Sequence, residues 1–252
     1  RHAPAILGHE IAGDVVEIGS KVTNIKVGDR VTVEPQVGCG ECEMCKRGLV
    51  SLCSGKKVPG TPEWIGAFSE YFNADEKTVY KLADQTSYEM GTLAEPLAVA
   101  VHTVNHAETR TGGLVILGAG TIGQLILAVA RKRGYSPIIV TDTAAFNREF
   151  AVKHGADAAL DPVTENIPEK VKEMTGGRGA DLAIIAAGAD NILDQACECV
   201  HKCGEIGIVA MITNKIPFYC YSVVFSELKI YGAMCYESGD FAEAMEMINT
   251  DL

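Results

Sequence analysis

The chain has 252 residues, 47% of them hydrophobic, and a formal net charge of -11 at pH 7. That length and apolar content suit one large domain or two ordinary ones with a real core, and the acidic balance argues against nucleic acid or an anionic membrane as partner. No uninterrupted apolar run is long enough to span a bilayer, and no signal peptide is visible.

In chain order, residues 1 to about 95 read as β-rich. Short strands are expected over Ile11–Ile18, over Val31–Pro35 after the turn Gly28-Asp29, and over Phe68–Phe72. A helical connection is expected over Pro96–Thr111. From Leu114 onward strands and helices alternate. Helices are expected at Ala144–His154, Ile167–Met174 and Asn191–Val200, with strands at Ala158–Leu160, Leu182–Ala186, Ile206–Val209 and Leu228–Tyr231. Such alternation predicts an α/β fold with a doubly wound parallel sheet. Arg1 is not a Met, and the periodic run Phe241, Ala244, Met245, Ile248 reaches Leu252 without a stop signal, so both ends read as internal to a longer chain.

The stretch Gly113–Asp142 carries the strongest chemical signal. An apolar run, Leu114–Leu117, meets the turn Gly118-Ala119-Gly120-Thr121-Ile122-Gly123. A helical pattern and a second apolar run ending at Asp142 follow. Strand, turn, helix, strand and acid stand in the order a dinucleotide-binding βαβ unit needs. Gly118 permits the tight turn, Gly120 lets backbone approach a pyrophosphate, and Gly123 lets helix lie close to strand. The first helical N–H groups and the helix dipole favour phosphate charge. Asp142 is placed to accept from a ribose diol and would repel a 2′-phosphate, so NAD is expected over NADP.

Nine cysteines are present, four of them between Cys39 and Cys53. The pattern Cys39-x2-Cys42-x2-Cys45-x7-Cys53, with Gly38, Gly40 and Gly48 letting the loop fold back, suits a closed Zn–S4 site that stabilises and does not catalyse. The remaining thiols read as buried in a reducing cytosol, and no disulfide framework is expected. Two further features are ambiguous on their own. His9 beside Glu10 is a common structural pair; on an extended segment the two side chains point to opposite faces, leaving His9 the better ligand. Glu95, before Pro96, fits an exposed acid at a helix start as well as a metal ligand, because a buried carboxylate is costly unless paired or metal-bound.

Together these pieces resemble the zinc-dependent medium-chain dehydrogenases/reductases, the alcohol and polyol dehydrogenases. The matching motifs come in that family's order. They are Pro4-x-Ile6-Leu7-Gly8-His9-Glu10, Val27–Val31, the four-cysteine lobe, Gly66–Tyr71, Glu95-Pro96-Leu97, the glycine turn, and Gly177–Asp181. The resemblance implies a GroES-like catalytic domain over 1–98 and an NAD-binding Rossmann domain over 99–252, with the active site in the cleft between them. It assigns a catalytic zinc to His9, with Glu10 and Glu95 as ligands or near-ligands, and a structural zinc to Cys39, Cys42, Cys45 and Cys53. Cofactor contacts are implied for Gly118, Gly120, Ile122, Gly123 and Asp142, and a nicotinamide-lining role for Val209, Ala210 and Met211. Glu95, where classical alcohol dehydrogenases have cysteine, tilts the subclass toward sorbitol/iditol-like enzymes.

Several departures are visible. The substrate-contacting arginine of sorbitol-type enzymes falls on Cys235, and the cofactor-contacting arginine past Asp142 falls on Asn147, with Arg148 one step along. The family's further zinc-ligand cysteine precedes Arg1, and its C-terminal return to the catalytic domain follows the Rossmann domain; neither is expected within 1–252, so this stretch alone is expected to hold catalytic zinc weakly and turn over poorly. The implied reaction is zinc- and NAD-dependent oxidation of a secondary alcohol or polyol to a ketone, by a cytoplasmic homodimer or homotetramer. Threonine or sugar-phosphate dehydrogenation on the same scaffold is the near alternative, and a non-catalytic NAD-binding, structural-zinc module the alternative of another class. Trp64 either walls the substrate pocket or packs within the β domain.

Overall fold

A computed structural model describes residues 5–250; Pro4 of the first motif and Leu252 lie outside them. The chain divides into two compact units. One holds residues 5–99 and 235–250, the other 100–234.

The first unit is built on a three-stranded antiparallel sheet of β1 (Ala12–Asp14), β2 (Arg30–Val33) and β3 (Val79–Lys81), in the order β1-β2-β3. Two short helices, α1 (Glu43–Lys46) and α2 (Tyr88–Thr92), belong to it. The strand expected at Ile11–Ile18 is short because Val16 and Ile18 lie exposed past Asp14. No strand forms over Phe68–Phe72. Phe68 and Tyr71 are 81% and 70% exposed, so that stretch has no buried face to hold in a sheet. Helix α3 (Ala94–His106) begins in the first unit, and the division falls after Val99. It starts before Pro96, which is tolerated in a first turn because the earliest helical N–H groups have no intrahelical partner.

The second unit is a six-stranded parallel sheet. Its elements are β4 (Gly112–Leu117), α4 (Thr121–Arg133), β5 (Tyr135–Thr141), α5 (Ala145–Lys153), β6 (Ala158–Leu160), α6 (Ile167–Met174), β7 (Ala180–Ile185), α7 (Ile192–Cys199), β8 (Val200–Ile208), α8 (Tyr221–Ser226) and β9 (Lys229–Gly232). The order β6-β5-β4-β7-β8-β9 places the topological switch between β4 and β7, where doubly wound folds bind ligands at the carboxyl ends of their strands. Both faces of the central strands are covered, so Leu114–Leu117 and Leu182–Ile185 are fully buried as continuous apolar runs. Strand β8 starts six residues before the expected Ile206, with a register irregularity that Cys203 absorbs at φ +62°.

The last helix, α9 (Ser238–Thr250), realises the periodic run at the C-terminal end: Phe241, Ala244, Met245 and Ile248 are buried. It packs in the first unit. Phe241 lies 4.9 Å from the Tyr80 ring, and Asn249 Oδ1 accepts from the Ala83 N–H and the Thr86 hydroxyl, each at 2.9 Å. The sequence predicts a second domain that runs on to 252 and a C-terminal return beyond it, whereas residues 235–250 belong to the first unit.

Candidate functional site

The cysteine lobe is the most sharply built feature of the first unit. One ligand atom from each of Cys39, Cys42, Cys45 and Cys53 lies within 4.8 Å of every other. Cys39 Sγ is 3.9 Å from Cys45 Sγ. Tetrahedral Zn–S bonds of about 2.3 Å place sulfurs about 3.8 Å apart, so the four donors fit a zinc ion. The spacing is enforced locally. A Cβ on Gly38 would stand 2.7 Å from Cys45 Sγ, and the N–H groups of Cys42 and Cys45 point at the sulfurs of Cys39 and Cys42, each at 3.4 Å. The N–H groups of Glu41 and Cys42 lower the Cys39 thiol to about 6. The Gly40 N–H pulls Cys45 down, but burial and its three neighbouring thiols push it up more strongly, to about 12. Crowded thiols resist ionising together, and a cation relieves that conflict.

His9 and Glu95 come from distant segments and meet in the first unit. The backbones of 6–8 and 66–68 bond to each other: the N–H groups of Gly66, Ala67 and Phe68 donate to the carbonyls of Ile6, Gly8 and Leu7 at 2.9–3.0 Å. Gly66 is required there, since a Cβ would lie 2.1 Å from Leu7 O, and Gly8 holds φ +99°. This pairing presents His9, whose Nε2 is 3.9 Å from Glu95 Oε1. His9 is half exposed, whereas Glu95, in the first turn of α3, is mostly buried. Burial, reinforced by the negative charge of Glu10, pushes the Glu95 carboxyl up to about 7 against a hydrogen bond from Tyr236. A buried carboxylate whose charge is costly, beside an imidazole, suits a cation. Glu10 acts on Glu95 by charge and does not join it and His9 in a tight three-ligand group. Among the described residues only the four cysteines form such a group.

Tyr236 is the site residue that the sequence did not reveal. It is 2% exposed, and the Gln36 side-chain amide donates to its carbonyl at 2.9 Å. Gln36 also donates to Glu34, a buried carboxylate that accepts from the Ser238 hydroxyl at 2.9 Å. Nothing in the motif Gly232–Tyr236 beyond its one missing arginine marks this tyrosine as a partner of Glu95. Trp64 packs its ring 5.6 Å from Phe72 and donates from Nε1 to Asn73 O at 2.6 Å, within the first unit.

In the second unit the glycine turn lies at the carboxyl end of β4. Gly118 has φ +109°, and a Cβ there would meet Ala187 at 2.5 Å. A Cβ on Gly123 would fall 1.9 Å from Gly118 O. Gly120 is different: nothing stands within 4 Å of its Cβ position, so its missing side chain leaves open space. Helix α4 starts here with Gly120 as cap and no side chain satisfying its first N–H groups, which leaves them free for an anion. Ile122 is half-buried on the first turn of α4. Asp142 joins the turn: its Oδ2 accepts from the Ala119 N–H at 2.9 Å and its Oδ1 from the Ala144 N–H at 2.8 Å. At the end of β8, the N–H groups of Val209 and Ala210 share the Ile185 carbonyl, each at 3.1 Å, and Met211 is 86% exposed. These donors, the open cradle and the acid fit a dinucleotide.

The two units therefore carry different chemistry, a metal-ligand set in one and a dinucleotide turn in the other, as in a metal-assisted oxidoreductase. Comparison with known proteins agrees. Residues 1–84 match the alcohol dehydrogenase GroES-like domain, and residues 121–250 match the zinc-binding dehydrogenase family. The chain is 36% identical over 250 residues to D-xylulose reductase A of Aspergillus oryzae, covering 97% of this chain and 70% of that protein. It is 36% identical over 230 residues to L-threonine 3-dehydrogenase of Pyrococcus horikoshii, covering 91% and 66%. The structure superposes on 2R,3R-butanediol dehydrogenase from Bacillus subtilis with a TM-score of 0.90 at 30% identity, covering 100% of this chain and 71% of that one. A zinc-binding dehydrogenase of Sinorhizobium meliloti bound to NADP gives a TM-score of 0.90 at 30% identity, covering 99% and 74%. The chain belongs to the zinc-dependent medium-chain dehydrogenase/reductase family, an enzymatic family with a GroES-like and a Rossmann domain and with zinc and NAD(P) as cofactors.

Proposed function

We propose that this chain serves the NAD-linked oxidation of a secondary alcohol or polyol to a ketone. The observation that carries the reading is the convergence of His9 and Glu95 to 3.9 Å, with Tyr236 bonded to the carboxylate. When bound, zinc supplies a Lewis acid for the alcohol oxygen and NAD supplies the hydride acceptor. His9 and Glu95 would hold the catalytic zinc, with Glu10 adding charge beside it. Tyr236, itself held by Gln36, fixes the Glu95 carboxylate. The four cysteines would hold a second zinc that stiffens the lobe. Gly118, Gly120, Ile122 and Gly123 would receive the pyrophosphate, Asp142 the ribose diol, and Val209, Ala210 and Met211 would line the nicotinamide. Relatives named D-xylulose reductase and 2R,3R-butanediol dehydrogenase share ketone–secondary-alcohol chemistry and support this substrate class.

The test combines metal analysis with NADH absorbance over a panel of polyols, diols and threonine. Two zincs per subunit of the full-length protein, with NADH formed from a diol or polyol, are expected. His9→Ala and Glu95→Ala should each abolish turnover and remove one zinc, leaving the other. Turnover from threonine alone moves the substrate to the amino alcohol. A single zinc held by the cysteines, with no turnover, reduces the chain to a binding module.

Two coarser features extend the reading. All nine cysteines are free thiols, which suits a reducing cytoplasmic setting, and among the described residues no helix is long and apolar enough to cross a membrane. Tyr221, Val224 and Phe225 of α8 are exposed in the same unit as the sheet-edge strand β9, which suits a homodimer or homotetramer. Light scattering on the purified protein checks the latter.

A further inference from the structure

Arg148 is the nearest cation to Asp142 along α5, and its guanidinium is engaged by protein oxygens. Its Nη1 donates to the carbonyls of Asp142 at 2.7 Å and Thr143 at 2.9 Å, and its Nη2 lies 3.2 Å from Asp161 Oδ2. Both side chains of that ion pair are about one-fifth exposed. Asp161 follows β6, and the Asp142 N–H donates to Leu160 O at 3.2 Å, so the ends of β5 and β6 lie side by side. Asp161 is itself fixed. Its Oδ1 accepts from the Val163 N–H at 2.9 Å and its own N–H donates to Glu165 Oε2 at 2.7 Å. The guanidinium is thus clamped between two strand ends, with both Nη atoms committed to protein oxygens.

The fold does not decide the choice of dinucleotide, since a relative that superposes closely is bound to NADP. The choice must lie in side chains around the ribose position. Asp142 supplies repulsion, but a free arginine on the helix that follows would offset it, because a guanidinium binds a phosphate monoester bidentately. We propose that Asp161 is a specificity-determining residue: it holds Arg148 against the β5–β6 strand ends and so withholds a cation that would accept a 2′-phosphate. This rests on the dinucleotide reading of the glycine turn given above. Asp161 touches no cofactor in this scheme; it acts through Arg148.

The test is direct binding, by isothermal titration of NAD⁺ and NADP⁺, and needs no turnover. The wild-type protein should prefer NAD⁺. Asp161→Asn keeps an acceptor for the Val163 N–H while removing the charge that holds Arg148. It should tighten NADP⁺ binding about tenfold or more, while NAD⁺ binding stays within about threefold. Adding Arg148→Ala to that variant should return NADP⁺ affinity to the wild-type level. An unchanged NADP⁺ affinity in Asp161→Asn, or a gain that survives Arg148→Ala, overturns the proposal while leaving the dinucleotide reading intact. Asp161→Ser guards against a folding defect of the first variant. Loss of NAD⁺ binding in both, with the cysteine-held zinc retained, assigns Asp161 to holding the fold and overturns the proposal. A wild-type protein that binds neither dinucleotide overturns the underlying reading and this inference with it.

Discussion

Glu237 and Ser51 are joined by a 2.6 Å hydrogen bond, the hydroxyl donating to Oε1, while Glu237 Oε2 accepts the Val50 N–H at 2.6 Å. One carboxylate from the C-terminal segment thereby pins the turn that delivers Cys53 to the other three cysteines. Glu237 is in turn fixed by its position just before α9, where its N–H donates to Asp240 Oδ2. Removing a group that orients a metal ligand typically weakens metal binding 10–100-fold, so Glu237→Ala is expected to lower the affinity of the cysteine lobe for zinc about tenfold. Competition against a chromogenic chelator measures this. An affinity equal to wild type would show that the lobe is rigid without Glu237.

That bond also marks the limit of what was legible in the sequence. Elements set by local pattern came through closely: β6 at Ala158–Leu160 and α6 at Ile167–Met174 have their expected bounds, and the βαβ stretch from Leu114 to Asp142 forms as read. There the periodicity, the glycines and an N-cap such as Asn166 all act within a few residues. The cysteine spacing was legible for the same reason. What failed depended on distant partners. Phe68–Phe72 has three aromatic residues but no buried face, and residues 66–68 pair with 6–8 instead. Residues 235–250 carried a helical period but no sign of which unit they would join. Tyr236 and Glu95 find each other only after that return, so neither residue type nor spacing could announce the pair.

Chelation tests the lobe in a second way. With zinc removed, four thiols held within 4.8 Å lose the charge that lets them stay ionised together. Treatment with a strong chelator is expected to add four reactive thiols per chain to a thiol-reagent titration and to lower thermal stability. Re-addition of zinc should reverse both. No change in reactive thiols on chelation would mean that the cysteines hold no metal.

Asp181 offers a pH-dependent readout in the second unit. Burial raises its pKa, but the Gly113 N–H at 2.7 Å, His201 Nε2 at 3.1 Å and Arg178 Nη2 at 2.9 Å outweigh that and hold the carboxyl below its ordinary value of 3.8. A carboxyl depressed in the folded state contributes stability that is present above its unfolded pKa and is lost as pH falls through the folded value. Asp181→Ala strands the Gly113 N–H and is expected to cost about 2–4 kcal/mol near pH 7. The gap between the two stability curves should narrow as pH falls below the ordinary value of 3.8 and through the lower folded value, since the wild-type protein loses the charge-dependent part of this increment there. Urea unfolding at pH 7 and at pH 3.5 checks the sign. A gap that stays constant across that range would assign the loss to packing rather than to charge.

Gly120 and Gly123 separate the two jobs of the glycine turn. A methyl on Gly123 would stand 1.9 Å from the Gly118 carbonyl oxygen, backbone that cannot yield without moving α4 off β4. Gly123→Ala is therefore expected to cost about 3 kcal/mol or more of stability, in the range of forced overpacking. Gly120 has nothing within 4 Å of its Cβ position and does not need a positive φ. Gly120→Ala should leave stability within about 0.5 kcal/mol of wild type. Its methyl would occupy the space through which a pyrophosphate reaches the first N–H groups of α4, so NAD⁺ affinity should fall about tenfold or more, the equivalent of about 1.4 kcal/mol. Thermal melts and NAD⁺ titration of the two variants side by side measure both effects. If Gly120→Ala binds NAD⁺ as tightly as wild type, the open space at Gly120 is not where the phosphates lie, and the cofactor would have to be held elsewhere along the carboxyl edge of the sheet.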